Sequence, residues 1–181
     1  MPNKIVLISV AIVIVCAMLF GNKKVRVLPV LLKQLQVFKN AKSNKISVWD
    51  ITCFIFLPIA LAVLIAIGFE RVIDDGLAGV LTTVFAFVFT VLFGFAAILV
   101  GKLDSNNEIE KQVVGETFVS IMTSNILSLI SSVLSIANII TNNETARLFF
   151  SIFIYSFSFM IIMLLLMISK RTFIIYCSNT K

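Results

Sequence analysis

Four apolar runs, residues 51–69, 78–100, 113–140 and 148–168, follow one another with short polar links between them. Each is long enough to cross a hydrocarbon layer of ~30 Å as a helix. Inside such a layer no water pairs with backbone N–H and C=O groups, so each run must satisfy its own hydrogen bonds, as an α-helix does. Composition agrees: 60% of the 181 residues are hydrophobic and 13% charged, against about 25% charged in a soluble domain. No hydrophilic stretch is large enough to bury a separate core. The sequence predicts an all-α integral membrane protein, a single membrane domain over residues 1–181.

A further apolar run, residues 5–21, is at the short end of what spans. A cleaved signal peptide is the rival reading. It is weakened because only Lys4 precedes the run, whereas Lys23, Lys24 and Arg26 follow it directly. A lipoprotein signal fails because Val15, not a small residue, precedes Cys16. An uncleaved first span is expected, giving five in all. If this run lies only in the interface, four remain.

Between the first and second spans lies the basic segment, residues 22–48. Up to its last lysine it holds Lys23, Lys24, Arg26, Lys33, Lys39, Lys42 and Lys45 and no acidic residue. Leu28, Leu31, Leu32, Leu35 and Phe38 recur at helical spacing within it, with Lys33, Gln34, Gln36 and Lys39 on the other side. Pro29 fits the start of a helix. The pattern predicts a short amphipathic helix in the plane of the membrane surface, followed by a polar linker over residues 41–47 and an interfacial anchor at Trp49.

Charge placement predicts orientation. With the basic segment inside, twelve of the fifteen basic residues are cytoplasmic, among them Lys170, Arg171 and Lys181 of a basic tail, and only Lys4, Arg71 and Arg147 lie outside. A bias that strong in a chain with short loops predicts a cytoplasmic basic loop and C-terminus and an outer N-terminus. The seven lysines and arginines of the segment are candidates for binding a soluble partner or anionic lipid. Direct nucleic-acid binding is not expected, and positive-inside charge requires no partner at all.

The fourth span is the least lipid-like. Ser124, Ser128, Ser131, Ser135 and Asn138 are spaced four, three, four and three along one helical face, with Thr117 on the same line. The third span carries the small residues Ala86, Thr90, Gly94, Ala97 and Gly101. Small and mildly polar stripes are helix–helix contact faces in lipid, within one chain or between copies. Alternatively the Ser/Asn seam lines a water-filled path in a homo-oligomer. Glu116 is the one carboxylate inside a span, ~8 Å along the helix axis from Lys111. It is a candidate functional residue, or it reaches the headgroups or pairs with Lys111 or Lys102. Pro58 should kink the second span. Glu70, Arg71, Asp74 and Asp75 form a mostly acidic turn. The triplet Asn143-Glu144-Thr145 matches a glycosylation acceptor but reads as incidental.

Catalytic chemistry is not legible. The chain has no histidine, the commonest general base and metal ligand. Cys16, Cys53 and Cys177 form no metal spacing. No Gly-rich phosphate loop, GxSxG or HExxH occurs, the numerous serines lack an evident base, and no cofactor is implied. Repeated halves with broken helices are absent, which disfavours a secondary transporter. A non-enzymatic sensor, scaffold or pore is expected.

Residues 32–50, LKQLQVFKNAKSNKISVWD, lead into the spans of a short multi-pass chain with little extramembrane mass. In this general plan and length the chain resembles the membrane subunits of Kiwa anti-phage defence systems. The resemblance implies a homo-oligomeric sensor in the inner membrane that holds or activates a soluble, DNA-binding cytosolic effector. A holin-like pore former is the alternative expectation.

Overall fold

The computed structural model describes residues 27–38, 47–101 and 108–179. The expected first span and Lys23, Lys24, Arg26, Lys39, Lys42, Lys45, Lys102 and Lys181 lie outside the described residues. Five helices follow in order: α1 (Leu28–Val37), α2 (Val48–Gly68), α3 (Asp75–Val100), α4 (Glu108–Ile140) and α5 (Glu144–Asn179). No strand occurs among the described residues. Four helices, α2 to α5, are long and apolar enough to cross a membrane.

All four exceed the apolar runs that predict them, and polar caps stand at the starts of three. Ser47 accepts from the Asp50 N–H ahead of α2, and Asp74 Oδ1 accepts from the Leu77 N–H ahead of α3. Asn143 Oδ1 accepts from the Thr145 N–H at the start of α5. The acceptor-like triplet is thus part of a helix cap. At the other end α5 runs on to Asn179, so Lys170 and Arg171, expected in a free tail, belong to a helix.

Pro58 lies within α2 without stopping it. Its ring excludes the carbonyl four residues back, which a regular α-turn would leave in place. The backbone ahead of it widens into a π-helical stretch over Thr52–Phe56, closed by a Leu57 N–H to Thr52 bond. A second π-helical stretch, Leu64–Gly68, leads to Glu70, whose φ of 52° is left-handed. The Arg71 N–H then returns to the Ile65 carbonyl at 3.2 Å, one residue wider than the six-to-one closure that usually has glycine where Glu70 stands.

Short connections make successive helices antiparallel. Their spatial order is α3, α4, α5, α2, with α2 against α5 and α1 against α4. The most apolar 18-residue window of α4 is 44% buried and that of α2 17%, so α4 is the centre and α2 the edge. From α3, Leu92, Ala96 and Leu99 pack with Val114 and Ile121 of α4 and Ile168 of α5. Nearer the α2–α3 connection, Ala78 and Phe85 pack with Ile73, Ile154 and Ile161.

The small-residue stripe of α3 does not join this core. Ala86, Thr90, Gly94, Ala97 and Gly101 are all exposed. The face turned inward is the one bearing Phe85, Leu92 and Leu99. Ala78 and Ala96 are buried on that same face.

Candidate functional site

The seam of α4 is the interior of the bundle. Ser124, Ser128, Ser131, Ser135 and Asn138 are each 0% exposed. Most of the hydroxyls are used within the helix: Ser124 donates to Ser120 O, Ser135 to Ser131 O and Thr117 to Val113 O. Ser128 Oγ, Ser131 Oγ and both polar atoms of Asn125 have no partner among the described residues. A face buried within one copy presents no surface for an oligomer to line with water.

Asn138 does something the spacing does not reveal. Its Nδ2 donates to the Ile73 carbonyl at 2.9 Å, and the Ile73 N–H donates to Ser151 Oγ at 2.9 Å. Arg147 adds an Nη2 contact to the same carbonyl at 3.4 Å and an ion pair with Asp75. Ile73 is 0% exposed. The acidic turn is therefore pinned into the bundle through its backbone. A cavity of about 580 Å³ remains beside it, bordered by Val72, Asp74, Glu144 and Leu148.

At the opposite end, Glu116 is paired with Arg171, Oε2 to Nη2 at 3.0 Å, and accepts from Gln112 Nε2 at 3.0 Å. Among the described residues its partner is Arg171 and not Lys111, which is exposed, while Lys102 lies outside the described residues. One signal was available for this pair. Glu116 stands 27 residues before Asn143 and Arg171 27 residues after Glu144, so folding an antiparallel hairpin there brings them level. Around the pair stand Lys33 and Gln36 of α1, Lys111 of α4, Lys170 of α5 and Asp50 of α2.

Helix α1 is not free on a surface. Lys33, Gln36 and Val37 border a cavity with Lys111, Glu116 and Val119, while Leu28, Leu31 and Leu35 face Thr123 and Leu127. It runs along α4 rather than across the ends of the helices. Its rotation also differs from the amphipathic expectation. Gln34 is 5% exposed and Phe38 5%, whereas Leu28 and Leu32 are 51% and 52% exposed. Phe38 stacks on Phe54 of α2 with ring centroids 5.0 Å apart.

Of the basic segment's candidate residues, only Lys33 is described, and it is exposed. No group of three or more His, Cys, Asp or Glu side chains among the described residues is placed to hold a metal ion. No protein-family model, curated protein or solved structure matches the chain.

Proposed function

We propose that this chain is a non-enzymatic, multi-pass membrane scaffold, assembled from several copies, that docks a soluble cytosolic partner at its basic end. The observation that carries this reading is the separation of charge between the two ends of the bundle. Lys33, Lys111 and Lys170 stand exposed at one end on three different helices, with Arg171, Asp50 and Glu116 beside them, and along the sequence twelve of the fifteen basic residues but only five of the nine acidic ones fall on that side. The other end carries Glu70, Asp74, Asp75 and Glu144 against Arg71 and Arg147. Positive-inside charge puts the basic end in the cytoplasm. Cations presented from three helices make a broad, shallow surface suited to an acidic face of a protein. Association of copies is supported by the exposed stripe from Ala86 to Gly101 on α3, where helices in lipid approach closely.

The resemblance to Kiwa membrane subunits adds that the partner is a DNA-binding effector of phage defence. A pore former draws no support from the seam, which is buried within one copy. Purification of the tagged chain from its native membranes in mild detergent tests the scaffold reading. A stoichiometric soluble protein that dissociates at high salt is the expected result; a chain that extracts alone at physiological salt overturns it.

A further inference from the structure

Helix α1 does not seal the groove in which it lies. A cavity of about 330 Å³ remains beneath it, walled by Leu31 and Leu35 of α1, Leu127 of α4 and Met160 and Leu164 of α5. That volume falls within the roughly 300–1,000 Å³ of small-ligand sites. The lining is apolar with one main exception. Gln34 borders the cavity, is 95% buried by its 5% exposure, and has no partner for Oε1 or Nε2 among the described residues. The other polar group, the Thr123 hydroxyl, is already donated to the Val119 carbonyl. Buried amides in native proteins are nearly always paired, so the position calls for a ligand carrying a hydrogen-bonding group at that depth.

The Phe38–Phe54 pair borders this cavity and also a second, of about 490 Å³, that opens toward Lys170, Arg171 and Asp50. Arg171 gives Nη2 to Glu116 and keeps a buried Nη1 without a partner among the described residues. An apolar chamber, a buried amide, an arginine with a spare donor and an exposed lysine thus occur in series. That sequence of polarities matches a phospholipid read from acyl chain through ester to phosphate. Guanidinium is suited to phosphate by geometry and weak hydration.

We propose that this cleft binds one phospholipid with an anionic headgroup. Its acyl chain occupies the chamber under α1, an ester carbonyl accepts from Gln34 Nε2, and its phosphate faces Arg171 and Lys170. The proposal rests on α2 to α5 spanning a membrane, where such a lipid is at hand, and is independent of any protein partner.

The test is native mass spectrometry of the full chain purified in mild detergent. The chain is exposed to equimolar phosphatidylglycerol and phosphatidylcholine, and retained lipid is counted per chain. Wild type should retain one phosphatidylglycerol in preference to phosphatidylcholine. Leu127→Trp and Met160→Trp fill the chamber from opposite walls, and each should abolish retention while circular dichroism keeps its helical signal. Leu129→Trp, on the exposed side of α4, should leave retention unchanged. Lys170→Gln should weaken the preference for phosphatidylglycerol about fivefold, the worth of one cation near an anionic headgroup. The proposal is overturned if wild type retains no lipid or shows no headgroup preference. It is equally overturned if Leu129→Trp reduces retention as much as the chamber variants, which would mark ordinary lipid around the surface. Alkaline extraction of membranes, run beside these measurements, separates failure of the site from failure of the spanning reading: only the latter releases the chain.

Discussion

Asn138 and Ile73 lie 65 residues apart, yet the Asn138 amide donates to the Ile73 carbonyl at 2.9 Å. Ser151 takes the Ile73 N–H from the other side. One backbone residue of the α2–α3 connection is thereby held by α4 and α5 at once. Asn138→Leu should leave that carbonyl with only the longer Arg147 contact and destabilise the bundle by about 1–2 kcal/mol. Ser151→Ala should act similarly. Since both variants loosen the same residue, the double variant should cost less than the two singles together. Unfolding monitored by circular dichroism in mixed micelles measures all three, and strict additivity would show that Ile73 is not their shared anchor.

The Glu116–Arg171 pair yields a prediction of opposite logic. Both side chains are largely shielded, 31% and 19% exposed. Arg171→Leu strips the carboxylate of its counter-charge and should destabilise by about 1–3 kcal/mol. Glu116→Gln introduced into Arg171→Leu should recover most of that loss, because no unpaired charge then remains. The same unfolding measurement decides: a double variant no more stable than Arg171→Leu alone would mean the cost came from lost packing.

The long apolar runs made legible the four helices that are long and apolar enough to cross a membrane, because the backbone's demand for hydrogen bonds in lipid leaves one solution. The seam was legible as a special face through its four-and-three spacing. What covers it was not. Which face of α3 turns inward could not be read from hydropathy, because every candidate face of that helix is apolar. Gln34 was assigned to the polar side of α1 by the same reasoning that works in water, yet its helix lies against other helices rather than on an aqueous surface. Arg171 was hidden by being counted in a tail, although its distance from the α4–α5 turn equals that of Glu116. Ile73 was out of reach of any side-chain pattern, since its backbone carries the bonds.

Gly94 gives the stripe of α3 a direct test. A Cβ built there meets nothing within 4 Å, and neighbouring Thr90 already bonds its own helix through the Ala86 carbonyl. Gly94→Leu should therefore leave the fold of a single copy unchanged. If copies meet along this face, the same substitution should shift the chain toward monomer by about tenfold or more, since close approach drives association in lipid. Crosslinking in native membranes and light scattering in detergent read the shift. An unaltered oligomer would move the contact to another face.

Glu70 holds a left-handed backbone, φ 52°, where the chain leaves α2. For an L-residue with a Cβ that conformation costs about 1 kcal/mol, which glycine avoids. Glu70→Gly should stabilise the protein by only a few tenths of a kcal/mol, because glycine's greater freedom when unfolded offsets about 0.4–1 kcal/mol of that gain. Glu70→Val, branched at Cβ, should destabilise it. Thermal melts of the two variants in one detergent should bracket wild type, and a Glu70→Gly melt below wild type would show that the carboxylate itself is needed.

The charge surface at the basic end separates partner docking from membrane orientation. Lys33 and Lys170 are exposed and on different helices, so reversing both to Glu changes the surface without touching the buried pair. Orientation should hold, because most of the fifteen basic residues remain where they were. Partner capture should fall steeply, since each reversed charge at a complementary interface lowers association and weakens its salt dependence. Cysteine accessibility from either side of the membrane reports orientation, and pull-down across a salt series reports capture. If capture persists unchanged with orientation intact, the partner reads a different surface, and the scaffold reading loses the observation that carries it.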